Sequence, residues 1–114
     1  MQKRSSSAVR IFYPRFKREE VIERIRAGLK ALGENLPLES GILFGSYAKD
    51  NYTVGSDIDL LIIYKGKRRE EIYSLSKRLL GILGLEPHVY CSEEYEEMKQ
   101  TIDRMAKDGI VLFP

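Results

Sequence analysis

The chain has 114 residues, of which 32% are charged and 43% hydrophobic, and its 19 Lys and Arg nearly balance 17 Asp and Glu, leaving a net charge of +2. This length predicts one domain with one core and leaves nothing over for a second domain. The single cysteine, Cys91, excludes an internal disulfide and a multi-cysteine zinc site, while the lack of a long apolar run or signal-like segment predicts a cytoplasmic protein without a membrane helix.

The amino end is the most basic part of the chain. Residues 1–30 contain nine Lys and Arg against three Glu, whereas residues 86–114 contain seven acids against three bases. We expect residues 1–10 to form a disordered basic tail and residues 11–114 to form the single domain. The basic residues could attract RNA, nucleotide or an acidic partner surface; the alternative is a solvated helix face with a frayed tail.

The first half of the chain predicts a helix followed by two strands. Apolar residues recur at helical spacing and predict an amphipathic helix that ends at Gly33. Its apolar face consists of Phe16, Val21, Ile22, Ile25, Leu29 and Leu32. Residues 39–44 predict the first strand, and residues 57–64 predict a second strand whose continuous apolar run beyond its acids indicates burial on both faces.

The next segment predicts a helix and a third strand. Residues 68–83 have an apolar stripe that includes Leu83, and Gly84 closes the predicted helix. Residues 85–91 predict the strand, in which Pro87 favours an edge or a bulge because it has no backbone donor for a ladder.

The carboxyl end predicts one more helix and a short strand over residues 110–113. The helix is expected to start at Ser92 and end at Gly109, with Met98 and Met105 in the core. The elements together predict an α/β (α+β) fold in which a small mixed sheet is flanked by helices.

Two short motifs lie where predicted strands meet loops. Gly45-Ser46 follows the first strand, and a turn or helix start there would aim backbone N–H groups and a hydroxyl at an anion. Asp57 and Asp59 stand at the start of the second strand, two residues apart and therefore on one face, with Cα atoms roughly 6.5 Å apart. Such a carboxylate pair suits Mg²⁺, which is normally held by one or two carboxylates plus substrate phosphates.

A plainer interpretation of these motifs is structural. Asp57 could cap a hairpin turn, with Asp59 as the solvent-side residue of an edge strand. Tyr47 and Tyr52, in the loop between the motifs, could stack on a base or simply pack the loop down.

The run from Gly45-Ser46 to Ser56-Asp57-Ile58-Asp59-Leu60-Leu61 resembles the signature of the nucleotidyltransferase superfamily of the DNA polymerase β type, in particular its minimal stand-alone members. Those minimal nucleotidyltransferases often act as the antitoxin of a helical HEPN-domain toxin. The resemblance implies the polymerase β palm-like fold. It also implies transfer of a nucleoside monophosphate from a nucleoside triphosphate.

The resemblance assigns roles to particular residues. Gly45 and Ser46 match the phosphate-binding turn, with Lys49 and Ser56 also on the nucleotide side. The metal ligands are implied to be Asp57 and Asp59, which would hold two Mg²⁺ ions with bound nucleotide. Asp50 departs from the glycine that many members have there, and it places an acid near the expected polyphosphate.

The third catalytic carboxylate of the family lies on a later strand, and here the matching position is His88. His88 could act as the base, although imidazole suits softer metals better than Mg²⁺. Glu86 is the other candidate, because it shares a strand face with His88. The departure leaves two outcomes open, a working substitute or weakened catalysis.

Three functional hypotheses follow. The first is a Mg²⁺-dependent enzyme that moves AMP or another monophosphate from ATP or another triphosphate to a hydroxyl on a protein or RNA, with a tyrosine of a HEPN toxin as the implied acceptor. The second is a catalytically weak antitoxin-like subunit that neutralises a HEPN partner by binding. The third is an RNA-binding module that uses the basic amino end. Since one small domain offers half a cleft, we expect a partner protein to supply the rest; the chain could also form a homo-oligomer.

Overall fold

The computed structural model describes residues 17–53 and 55–114. The expected tail at residues 1–10 and the predicted helix residue Phe16 lie outside this described part. The elements are α1 (Arg18–Gly33), β1 (Leu38–Phe44), β2 (Ile58–Tyr64), α2 (Glu71–Leu80), β3 (Leu85–Cys91), α3 (Ser92–Glu97), α4 (Lys99–Met105) and β4 (Ile110–Phe113).

The four strands form one mixed sheet in the order β3-β2-β1-β4. Strand β1 runs antiparallel to both β2 and β4, whereas β2 and β3 are parallel. The predicted mixed sheet with flanking helices is therefore confirmed. The prediction for Pro87 is also confirmed, because β3 is an edge strand and Pro87 lies opposite Leu60 within it.

The helices cover the sheet from both sides. The larger core lies under α1 and α2, where Val21, Ile25, Leu29 and Leu32 are fully buried with Leu60 and Ile62 of β2. Alternate residues of β2, Leu61 and Ile63, pack on the opposite face against Ile102 of α4. Burial on both faces explains why β2 is an uninterrupted apolar run.

Helix α2 is shorter than the predicted span of residues 68–83. At its start, the backbone N–H of Arg69 donates to the Tyr64 hydroxyl at 2.7 Å, which ties this residue to the end of β2. Burial raises the pKa of that tyrosine. At its end, Gly81 adopts a left-handed conformation (φ 58°, ψ 34°) and closes the helix, so Leu83 is 67% exposed and the prediction that it faces the core is wrong.

The predicted third helix is two helices. Met98 has φ −115° and ψ 22°, which interrupts the helix between α3 and α4. Its side chain is 40% exposed, so the prediction that Met98 belongs to the core is wrong, whereas Met105 packs against the smaller cluster as expected. Within residues 17–53 and 55–114, the helices are too short or too polar to cross a membrane.

Candidate active site

The two sequence motifs meet at one end of the β1–β2 pair. Phe44, the last residue of β1, lies opposite Asp59 in the antiparallel register, and Gly45 follows at φ +79°. A Cβ atom built on Gly45 would lie 2.6 Å from Oδ2 of Asp59. The carboxylate therefore rests against the glycine backbone, and this position needs glycine both for its φ and for the close approach.

The chain after Gly45 folds into a compact turn. The Lys49 N–H donates to the Gly45 carbonyl at 3.1 Å, and the Asn51 N–H donates to the Ser46 carbonyl at 3.0 Å. Ser46 is half-buried, whereas Lys49 and Asp50 are exposed. The turn thus leaves the Lys49 cation and the Asp50 carboxylate on the same solvent-facing segment.

Arg18, at the start of α1, anchors this turn. Its guanidinium donates to the carbonyls of Tyr47 at 2.9 Å and Ala48 at 3.1 Å, and its backbone N–H donates to the Tyr52 hydroxyl at 3.2 Å. Sequence reasoning missed Arg18. The sequence did contain a signal: Arg18 lies in the first turn of α1, where a positive charge interacts unfavourably with the helix dipole. A cation at such a position indicates a role outside the helix.

Tyr47 and Tyr52 stack on each other. Their ring centroids are 4.1 Å apart with the planes 8° from parallel, and Tyr47 is only 4% exposed. The structure favours the packing alternative over stacking on a base for Tyr47, since its ring has no free face large enough for a nucleobase.

The strand start that carries the acids is held by a second turn. The backbone N–H of Thr53 donates to Oγ of Ser56 at 2.8 Å, and the Ser56 N–H donates to the Thr53 carbonyl at 3.0 Å. Asp57 follows as an exposed residue just before β2. Among the described residues, none forms a hydrogen bond or ion pair with the Asp57 carboxylate, so its oxygens face solvent.

His88 lies beside Asp59. Its Nε2 is 3.2 Å from Oδ1 of Asp59, and its ring centroid is 5.0 Å from that of Phe44. Because an ionised carboxylate only accepts hydrogen bonds, the His88 Nε2–H is the donor. Asp59 is thereby held on both sides, by the imidazole at one oxygen and by the Gly45 backbone at the other.

Glu86 is placed differently from His88. It lies directly opposite Asp59 in the parallel β2–β3 register, but its carboxylate accepts a hydrogen bond from the Tyr73 hydroxyl at 3.0 Å. The side chain therefore turns toward α2 around the edge of the sheet. The fold brings all the predicted catalytic residues to one end of the sheet, yet only His88 contacts an aspartate.

A comparison with protein families shows the family of this chain. The sequence model of one protein family, described as nucleotidyltransferase domain, matches residues 13–112. The chain belongs to the nucleotidyltransferase domain family. A crystal structure at 1.40 Å of a proposed nucleotidyltransferase from Sulfolobus solfataricus is similar to this nucleotidyltransferase domain, with a TM-score of 0.60 and 20% identity over 83% of this chain and 81% of that chain. A search of curated proteins found no match.

Membership of this family indicates a type of reaction and a requirement for a metal ion. Nucleotidyltransferase domains transfer nucleoside monophosphates and use divalent metals. Here Asp57 and Asp59 are hard oxygen donors at a strand start, and the Asp59 side chain is 28% exposed. No group of three or more His, Cys, Asp or Glu in residues 17–53 and 55–114 is arranged to hold a metal by itself. Two carboxylates completed by substrate phosphates match the way Mg²⁺ is usually bound, so the residues fit the ion.

Proposed function

We propose that this domain transfers a nucleoside monophosphate, AMP from ATP, to a hydroxyl group of a protein or RNA acceptor in a Mg²⁺-dependent reaction. The observation that carries the proposal is the contact between the Gly45 turn and the Asp59 carboxylate, with Asp57 two residues away. A polyphosphate held by the turn would lie beside the two acids that suit a metal. The plainer interpretation needs Asp59 on an edge strand, whereas β2 lies between β3 and β1.

The residues divide the work of binding and positioning. Backbone N–H groups of the turn, the Ser46 hydroxyl and the Lys49 ammonium would hold the polyphosphate, and Ser56 would stabilise the loop that presents Asp57. Two Mg²⁺ ions bound by Asp57 and Asp59 would neutralise the charge of the phosphates. Arg18 would stabilise the turn through its hydrogen bonds to the Tyr47 and Ala48 carbonyls.

Glu86 is the better candidate for the residue that takes the acceptor's proton. The Nε2–H of His88 is already donated to Asp59, which makes His88 a positioning residue in this arrangement. The Glu86 carboxylate, in contrast, already accepts a hydrogen bond from a hydroxyl group, the interaction that a general base makes with an attacking alcohol.

The partner proposed for this activity is a HEPN-domain protein, with the domain acting as its antitoxin and a tyrosine of the partner as the acceptor. The resemblance to minimal nucleotidyltransferases supports this choice. The open site also supports it, because Asp57 and Lys49 are exposed and a second protein could complete the cleft.

A second candidate function is neutralisation of such a partner by binding alone. One observation favours it: the His88 imidazole, at the position that the resemblance assigns to the third carboxylate, occupies an oxygen of Asp59. If this imidazole limits catalysis, we expect His88→Asp to raise nucleotidyl transfer. Transfer that stays undetectable in both forms, with partner binding intact, would favour the binding function.

The experiment that tests the proposal is an NMR titration of the purified chain with ATP and Mg²⁺, together with a transfer assay using α-labelled ATP. We expect Mg²⁺-dependent shifts at Gly45, Ser46 and Asp59, and their loss in Asp57→Asn and Asp59→Asn. Glu97→Gln removes one exposed charge from α3 and serves as the matched control. Transfer that survives Asp57→Asn would contradict the mechanism.

A further inference from the structure

Tyr73 presents a hydroxyl group at the rim of the proposed active site. It belongs to α2, its side chain is 40% exposed, and its hydroxyl donates to Oε2 of Glu86 at 3.0 Å. Glu86 lies opposite Asp59 in the parallel register, and the backbones of neighbouring strands are about 4.8 Å apart. The Glu86 side chain and the β3 backbone therefore lie between the tyrosine hydroxyl and β2, the strand that carries Asp59.

The fold holds Tyr73 in this place. Ile72, Ser76 and Leu80 are buried and fix the rotation of α2, and the Ser76 hydroxyl donates to the Ile72 carbonyl at 2.8 Å. Since β3 is an edge strand, Tyr73 reaches Glu86 around the open side of the sheet. The hydroxyl is thus ordered, partly exposed and in contact with a carboxylate.

We propose that Tyr73 is a site of self-modification, at which the domain transfers a nucleoside monophosphate from ATP to its own tyrosine. This inference rests on the proposed nucleotidyl transfer. The Tyr73 oxygen would attack the α-phosphorus and form a phosphodiester bond. The bond from that phosphorus to the oxygen bridging the β-phosphate would break, pyrophosphate would leave with the bonding electrons, and Glu86 would take the phenolic proton.

Lys77 lies where its charge would stabilise the modified Tyr73 side chain. Its Nζ lies 5.7 Å from the centroid of the Tyr73 ring, four residues further along the same helix. A phosphodiester on the Tyr73 oxygen carries one negative charge and would replace the hydrogen bond to Glu86. The neighbouring ammonium offsets this charge, so the modified side chain has a cation within reach.

Tyr95 provides a matched comparison within the same chain. Its hydroxyl donates to Oδ1 of Asp103 at 2.7 Å, and Nζ of Lys99 lies 5.2 Å from its ring centroid. Tyr95 therefore shares with Tyr73 a hydroxyl that donates to a carboxylate and a lysine four residues further along the chain, although the Lys99 ammonium also donates to the Tyr95 hydroxyl at 3.1 Å. Tyr95, however, lines a groove of about 290 Å³ together with Ile63, at the end of β2 remote from Asp59, roughly 13 Å along the strand.

The test is incubation of the full chain with ATP and Mg²⁺, followed by intact-mass measurement and peptide fragmentation. We expect one nucleoside monophosphate per chain on Tyr73. The adduct should be absent from Tyr73→Phe and Asp59→Asn, slower to form in Glu86→Gln, and unchanged in Tyr95→Phe. Tyr73→Phe keeps the ring and its contact with Lys77, and its thermal unfolding should match that of the parent chain.

Slow hydrolysis of ATP to AMP and pyrophosphate, in which water replaces the hydroxyl, is measured in the same samples. Hydrolysis of ATP without labelling of Tyr73 would overturn the self-modification and leave the proposed function standing. Labelling of a different residue in place of Tyr73 would have the same meaning. Absence of both hydrolysis and label, with no binding of ATP, would overturn both.

Discussion

At the scale of single residues, Gly45 has the most demanding position in the site. Its φ of +79° and its contact with the Asp59 carboxylate both exclude a side chain. The residue before it ends β1, so the geometry of the turn is set by the strand on one side and by the acid on the other. A substitution here acts on the fold and on the site together.

We predict that Gly45→Ala lowers the free energy of unfolding by about 1–3 kcal/mol and abolishes ATP binding. The new Cβ would push the Asp59 carboxylate away in addition to straining the backbone. Urea unfolding and NMR titration with ATP and Mg²⁺ measure the two effects.

Gly81→Ala is the control for backbone strain alone. Gly81 also has a positive φ, 58°, but its nearest neighbour would lie 3.7 Å from a Cβ atom. This variant should lose about 1 kcal/mol of stability and bind ATP normally. Equal ATP binding by both alanine variants would contradict the importance of the Gly45–Asp59 contact.

At the scale of elements, the first turn of α1 controls the loop after β1. The guanidinium of Arg18 makes two hydrogen bonds to carbonyls of that loop. We predict that Arg18→Ala weakens ATP binding by about 1–3 kcal/mol, because hydrogen bonds from a charged donor are lost and the loop is less ordered.

Hydrogen exchange of residues 45–52 should become faster in Arg18→Ala, and calorimetry should show the weaker binding. The control is Arg26→Ala, which removes an exposed arginine from the same helix. Unchanged exchange in the Arg18 variant would show that the loop is ordered without this anchor.

The break between α3 and α4 is spanned by three side chains. The Asp103 carboxylate accepts from the Tyr95 hydroxyl at 2.7 Å and from the Lys99 ammonium at 3.1 Å. The hydrogen bond from Tyr95, and then the one from Lys99, lowers the pKa of Asp103. The pKa of Lys99 is raised by the hydrogen bond that its ammonium donates to the Tyr95 hydroxyl at 3.1 Å, and then by its hydrogen bond to Asp103. These contacts join the two helices where Met98 interrupts the backbone pattern.

This cluster predicts a pH-dependent contribution to stability. A carboxyl group whose pKa is lowered by folding stabilises the protein above its ordinary pKa, about 4, and this contribution is lost as the pH falls through the lowered value. Asp103→Asn should therefore reduce the free energy of unfolding at pH 7, and this reduction should shrink as the pH falls below about 4. The control is Glu96→Gln, which changes an exposed residue of α3 and should show no such difference. If the free energy of unfolding depends on pH in the same way in Asp103→Asn and in the parent chain, the prediction is wrong.

At the scale of the whole molecule, α1 and α2 form one layer because a glycine lets them approach closely. A Cβ atom on Gly28 would lie 2.5 Å from Cδ2 and 3.2 Å from Cα of Leu80. We predict that Gly28→Ala lowers the free energy of unfolding, since overpacking costs about 1–3 kcal/mol and exceeds the roughly 1 kcal/mol gained in helix propensity.

Gly33→Ala, at the end of the same helix, is the control for the Gly28 variant. A Cβ atom there would lie 3.4 Å from the Phe113 ring and 3.9 Å from Cβ of Leu38, which are contacts without overlap, so stability should change little. Denaturant unfolding of both variants measures the difference. A Gly28→Ala variant as stable as the parent chain would show that α2 can shift away from α1.

Local patterns account for most of the elements that could be predicted. The apolar spacing of α1, the unbroken apolar run of β2 and the limits of β3 each depend on neighbours within one element, and the structure confirms them. The ends of α2 and the break at Met98 were missed. The start of α2 is tied to the Tyr64 hydroxyl, and the break at Met98 is spanned by the Tyr95–Asp103 hydrogen bond; helical spacing predicts neither contact. The end of α2, in contrast, is local, because Gly81 closes the helix in a left-handed conformation.

The sequence by itself determined the class of fold, the glycine turn and the two acids at a strand start, because each of these features depends on residues that are close along the chain. Only the tertiary structure decided what surrounds those acids. His88 reaches Asp59 across 29 residues, Arg18 reaches the turn across 29 and 30, and Tyr73 meets Glu86 across 13. The order of the strands and the packing of the helices create these contacts, and no local pattern specifies which distant side chains they bring together.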